Sequence, residues 1–132
     1  MTRFAIDSAI ALRLIREKVH VPDEHQLVGP AILRSHALST LYREVREGRM
    51  DAATGRRELE AVAELKVRLL GDRVSRATAW KLADQLGWDD TPLAEYLAVA
   101  KLQADALVTE DERLAAAAHG VVPLATWADL TR

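Results

Sequence analysis

Short apolar runs alternate along the chain with longer stretches in which apolar residues recur every three or four positions. Arg3 to Asp7 reads as a buried strand, and Ile10 to Glu17 as a helix with Ala11, Leu14 and Ile15 on one face. Val19-His20-Val21-Pro22 breaks that helix. Leu27-Val28 is a second short strand, and Gly29-Pro30 reads as turn punctuation after it. From Ala31 to Gly48, Leu33, Ala37, Leu38, Leu41, Tyr42 and Val45 follow helical spacing, with Gly48 as the stop. Asp51 then caps a helix through about Leu65, with Leu59, Val62 and Ala63 inward.

The second half repeats the alternation. Val67-Arg68-Leu69-Leu70 is a strand, and Gly71-Asp72 opens a helix that runs to Gly87. Thr91-Pro92 is a helix start, with threonine as N-cap and proline at the first helical position, and that helix runs to about Leu102. Ala106 to Thr109 is a strand, Glu110 to His119 a helix, Val121-Val122 a last strand, and Thr126 to Leu130 a final short helix. Strands separated by helices predict an α/β fold. The expected form is a parallel sheet of four to five strands with helices on both faces. No internal repeat, low-complexity tract or linker interrupts it, so residues 1–132 are expected to form a single domain.

Composition narrows the chemistry. The chain has 132 residues, 49% hydrophobic and 29% charged, which is the make-up of an ordinary globular domain with a full core. It has no cysteine, which excludes disulfides, thiolate metal sites and a cysteine nucleophile. No apolar run is long enough for a membrane span and no signal peptide is evident, so a cytoplasmic location is expected. The formal net charge is −2, so nucleic-acid binding would rest on a local patch rather than on bulk charge.

Two apolar runs end in acid. Phe4-Ala5-Ile6 stops at Asp7, and Ala106-Leu107-Val108-Thr109 runs into Glu110-Asp111-Glu112. In an α/β fold both would deliver carboxylates to the C-terminal edge of the sheet, where ligands bind. Acids gathered there suggest a site for a hard metal ion. Thr109 and Glu112 have the spacing of a capping box, which reads Glu112 as structural.

These stretches resemble the PIN-domain family, in particular the VapC-like toxins of VapBC toxin–antitoxin systems. The resemblance rests on the strand ending in Asp7 with Ser8 beside it, and on the helix start Pro30…Leu33-Arg34-Ser35. It rests also on Leu86-Gly87-Trp88…Thr91…Ala94-Glu95-Tyr96-Leu97-Ala98, and most specifically on Ala106-Leu107-Val108-Thr109-x-Asp111-x-x-Leu114. It covers nearly the whole chain. It implies a metal-dependent ribonuclease, in which three or four carboxylates hold one or two Mg²⁺ or Mn²⁺ ions that activate water and offset phosphate charge. It also implies an RNA substrate, a cognate antitoxin and a homodimer, for which the apolar face of the Ala31–Leu65 helical pair would supply an interface.

Carried over by position, Asp7 and Asp111 match the family's metal ligands. His36 stands where the family usually has glutamate, and Leu93 where it usually has aspartate. Leucine cannot bind a metal, and neutral imidazole is a poor ligand for Mg²⁺ though it suits transition ions. Glu95 is two positions from Leu93, roughly 200° around the helix at about 100° per residue, so it faces elsewhere. Glu44 lies about 12 Å beyond His36 at about 1.5 Å per residue. Asp89 and Asp90 sit just before the helix, and Glu110 beside Asp111.

The candidate metal set is therefore Asp7 and Asp111 with Glu110, Asp90 or His36 completing it. Ser8, Thr109, Arg43 and Arg46 are candidate substrate contacts. The competing reading of Arg43, Arg46, Arg49, Arg56 and Arg57, interleaved with Glu44, Glu47, Asp51 and Glu58, is a solvated and salt-bridged helix pair. Trp80, Trp88 and Trp127 are expected as core or interface anchors, and Tyr96 as core. Two further functions stay open at this point. One is a PIN fold that has lost catalysis through the changes at His36 and Leu93 and works as an RNA- or protein-binding module. The other is an unrelated nucleotide or phosphate binder, or a phosphotransferase using Asp7, although no glycine-rich phosphate motif is present.

Overall fold

The computed structural model describes residues 1–132. Its elements in chain order are β1 (Thr2–Ile6), α1 (Ser8–Arg16), β2 (His25–Pro30), α2 (Leu33–Arg46), α3 (Ala52–Glu64) and β3 (Val67–Leu70). There follow α4 (Arg73–Leu86), α5 (Pro92–Gln103), β4 (Ala106–Val108), α6 (Glu112–Ala118) and α7 (Trp127–Thr131). The four strands form one parallel sheet in the order β3-β2-β1-β4. The expected α/β architecture is present, with four strands.

The strand order explains where a ligand can enter. From β1 the chain steps outward through β2 to β3, then crosses back to place β4 on the other side of β1. The direction of winding therefore reverses between β1 and β4. In open parallel sheets this switch point leaves a crevice at the C-terminal strand ends, because the flanking connections diverge there.

Both faces of the sheet are covered, so its inner strands are apolar from Phe4 and from Leu27 to their C-terminal ends. Phe4, Ala5, Ile6, Leu27, Val28, Leu107 and Val108 are all buried. Helix α5 is apolar on nearly every side, because it packs on α4 while lying across β1 and β2. Its Tyr96, Leu97, Ala98, Val99 and Ala100 join the main core with Ile10, Leu14, Leu33, Leu114 and Leu130. A smaller cluster of Leu12, Ala37, Leu41 and Val62 ties α1, α2 and α3 together. No helix is long and apolar enough to cross a membrane.

Several local expectations change. Gly29 and Pro30 are not a turn; they extend β2 and pair with Leu69 and Leu70 of β3. Proline is tolerated there because the pairing with β1 has ended at Val28 and the bond to Leu70 is made by the next amide, that of Ala31. Val121-Val122 forms no strand. Instead Leu124 makes a single parallel bridge with Leu107, because the backbone bonds of Leu107 go to Pro123 and Ala125. The cap of α6 is Asp111, not Thr109: its carboxylate accepts from the Leu114 amide at 2.8 Å. The reciprocal box lies at α7 instead, between Thr126 and Asp129. Thr91 precedes α5 but makes no side-chain cap bond. Trp80 is not a core residue, being 74% exposed on α4.

Candidate active-site cleft

The site follows from register. Ile6 of β1 lies opposite Val108 of β4, so the next residues of the two chains, Asp7 and Thr109, emerge side by side. Asp7 is the N-cap of α1. One carboxylate oxygen accepts from the Ile10 amide at 2.9 Å, and the other accepts from the Thr109 hydroxyl at 2.5 Å. The same hydroxyl oxygen accepts from the Asp111 amide at 3.0 Å. One threonine thus sets the position of both acids.

Around this edge lies a cleft of about 520 Å³. Asp7, Ser8 and Ala9 from the start of α1 line it, with His36 from α2 and Asp90, Pro92, Leu93 and Tyr96 from the start of α5. Glu110, Asp111 and Arg113 close it from the start of α6. Of the residues expected at the site, Asp7, Ser8, His36, Asp90, Glu110 and Asp111 all line this one cleft. Arg43 and Arg46 do not; they are exposed at the far end of α2. Thr109 stands behind the acids and touches them directly.

The electrostatics are those of an acidic cleft whose negative charge is only partly offset. Asp7 is 6% exposed, and burial pushes its carboxyl above the usual carboxylate range. The bonds from Thr109 and Ile10 pull it back, while the nearby charges of Asp111 and Glu110 raise it further. Glu110 is partly offset by Arg13, whose guanidinium lies 2.7 Å away and also bonds Glu17. His36 is engaged by Tyr96: its Nδ1 lies 2.8 Å from the tyrosine hydroxyl, and the rings stack at 5.5 Å. Burial also raises the Tyr96 hydroxyl, which sits beside Ser8 and feels the charge of Asp7.

No three histidine, aspartate or glutamate side chains stand close enough to form a ready-made metal cage. Leu93 occupies one wall and His36 is held by Tyr96. The donor set fits a more open arrangement. Mg²⁺ commonly takes only one or two protein carboxylates and completes its shell with water and substrate phosphate. Asp7 and Asp111 supply that number, and a divalent cation would relieve the repulsion that Asp7 experiences.

One residue of the cleft, Arg113, and its contact with Trp88 beside the cleft were not read from the sequence. Nothing in the sequence singled out Arg113, and Trp88 was expected only as a core or interface anchor. In the structure the Arg113 guanidinium lies over the Trp88 ring, 4.5 Å from its centroid. No sequence spacing signals that contact, which joins α6 to the α4–α5 turn.

No protein-family model matches the sequence, and no curated protein matches it significantly. Solved structures match its fold. One is the crystal structure of PAE2754 from Pyrobaculum aerophilum, at TM-score 0.70 and 22% identity, covering 93% of this chain and 84% of that one. A second is VapBC-1 from nontypeable Haemophilus influenzae, at TM-score 0.63 and 17% identity, covering 96% and 98%. A third is VapBC2 from Rickettsia felis, solved bound to a DNA fragment from their promoter, at TM-score 0.63 and 10% identity, covering 95% and 98%. The resemblance read from the motifs therefore holds at the level of the fold: the chain has the fold of a VapC-like PIN domain.

Proposed function

We propose that this protein is a divalent-metal-dependent endoribonuclease of the PIN type and the toxin of a toxin–antitoxin pair. The observation that carries the reading is the convergence of Asp7 and Asp111 at the β1–β4 switch point, in one cleft, with Asp7 raised by burial and by its acidic neighbours. A buried carboxylate facing two exposed acids is costly to ionise, and such perturbed acids cluster where a cation or a reaction uses them. In this reading Asp7 and Asp111 would hold Mg²⁺ or Mn²⁺, with Glu110 or Asp90 of the same cleft completing the site. The ion, when bound, activates water and offsets charge on the scissile phosphate.

The chain's own residues do the remaining work. Thr109 orients both acids by donating to Asp7 and accepting from the Asp111 amide. Tyr96 holds the His36 ring by its Nδ1, which leaves Nε2 as the ring's remaining polar atom. Ser8 lines the same cleft, and in this reading it bonds a ribose or phosphate oxygen. A cognate antitoxin is the expected protein partner, because the fold neighbours are VapBC structures. A homodimer would use the face of α2 and α3 on which Leu38 and Tyr42 stay exposed beside Leu41, Val45 and Leu59.

A second reading has its own support. With no ready-made trio of ligands, and with Leu93 in the cleft wall, the fold would act by binding RNA or a partner without cleaving. Calorimetric titration with Mn²⁺ and Mg²⁺ separates the two. The nuclease reading expects binding that disappears in Asp7→Ala and in Asp111→Ala, together with RNA cleavage that EDTA abolishes. Absence of binding, or binding indifferent to both substitutions, overturns it in favour of the binding module.

A further inference from the structure

We infer that Arg113, held over the Trp88 ring, is the anchor for a substrate phosphate at the mouth of the cleft; the inference rests on the RNA reading above. A polyanion entering this cleft meets Asp7, Asp90, Glu110 and Asp111, so approach needs a fixed positive charge. Arg113 is the one lysine or arginine among the lining residues. The other guanidinium near this edge, Arg13, is bound to Glu17 and Glu110 and lies over Trp127. Arg113 makes no ion pair with any carboxylate.

Its platform is fixed. Gly87 ends α4 in the left-handed region at φ 69°, and the turn is closed by the Trp88 amide donating to the Ala83 carbonyl at 2.9 Å. Trp88 is half-buried against the main core. A guanidinium held over such a ring keeps its charge and its N–H donors. The guanidinium fork matches two phosphate oxygens, and the contact with the ring reduces the freedom lost on binding. Arg113 is also in the first turn of a helix, where a cation gains nothing from the helix dipole. Helix stability therefore does not account for its position.

The test is fluorescence anisotropy of a labelled single-stranded RNA 12-mer in EDTA, across a salt series. Wild type is compared with Arg113→Ala, Arg113→Lys and Trp88→Leu, each checked for folding by circular dichroism. The expected result is a loss of about tenfold in Arg113→Ala, with a salt slope shallower by about 0.7, the value for one phosphate contact on a single strand. Lysine should restore the slope but only part of the affinity, and Trp88→Leu should weaken binding with the slope kept. Wild-type binding that Arg113→Ala leaves unchanged in affinity and slope overturns the anchor while the RNA reading stands. Wild type that fails to bind RNA overturns both.

Discussion

The Thr109 hydroxyl donates to Asp7 at 2.5 Å and so bonds the end of β4 to the end of β1. That bond holds an acid which burial and neighbouring charge disfavour in its ionised form. It is also the donor that keeps the Asp7 carboxyl from rising further. Removing it should therefore have a pH-dependent cost. Thr109→Val is expected to destabilise by about 1–3 kcal/mol at neutral pH, the range for leaving a buried acceptor unpaired. The cost should shrink at acid pH, where a protonated Asp7 needs no donor, and Thr109→Ser should behave like wild type. Urea denaturation at two pH values checks this, and an equal cost at both would refute it.

Asp7 itself should stabilise the protein when neutralised. Its folded pKa lies above the unfolded value near 3.8, so the folded state binds the proton more tightly. Stability contributed by the protonated form is present below 3.8 and is lost as pH rises through the raised folded value. Asparagine keeps the α1 cap. Asp7→Asn is thus expected to raise Tm in EDTA at neutral pH by a few degrees, on the order of 1 kcal/mol in a domain of this size. The gain should vanish toward acid pH, and divalent-ion binding should be lost. Thermal melts across the pH range are the measurement; a lower Tm at neutral pH would contradict it.

Rebuilding the two departures should create a stronger metal site. His36 and Leu93 line the same cleft as Asp7 and Asp111. The pair His36→Glu and Leu93→Asp is expected to tighten Mn²⁺ and Mg²⁺ binding at least about tenfold, or about 1.4 kcal/mol. It should also lower metal-free stability, since Leu93 packs against the core and His36 gives up Tyr96. Calorimetry together with melts at rising metal concentration would show both effects, because saturating metal stabilises by mass action. Unchanged affinity would mean that the two positions do not face the ion.

Away from the cleft, Arg16 bridges three helices. It bonds Glu44 of α2 at 2.9 Å and Glu58 of α3 at 2.7 Å from its place on α1. The two glutamate side chains are only 18% and 17% exposed, so they are screened less than surface acids. Arg16→Ala is expected to cost about 1–2 kcal/mol, more than an ordinary surface pair, and to cost less in high salt. Urea melts at low and high ionic strength test it. An effect insensitive to salt would assign the loss to packing of the arginine stem.

The sequence by itself determined the alternation of strands and helices, the burial of the sheet, and the acids that end β1 and begin α6. These were legible because they rest on local signals: unbroken apolar runs, helical spacing and residues that cap helices. The outcome at Gly29-Pro30 and Val121-Val122 depended on neighbours. β2 continues through Gly29 and Pro30 because β3 lies beside both of them after the pairing with β1 has ended at Val28, whereas the chain after α6 meets only Leu107 and stays a single bridge. Thr109 has the spacing to cap a helix, yet register with β1 places Asp7 within its reach and Asp111 takes the cap. Tertiary structure alone brought His36 to Tyr96 and Arg113 to Trp88. Those pairs come from different elements, and only the packing of α2 and α6 around α5 decides which side chains meet. Periodicity specifies which face of an element turns inward; strand order and register specify what it finds there.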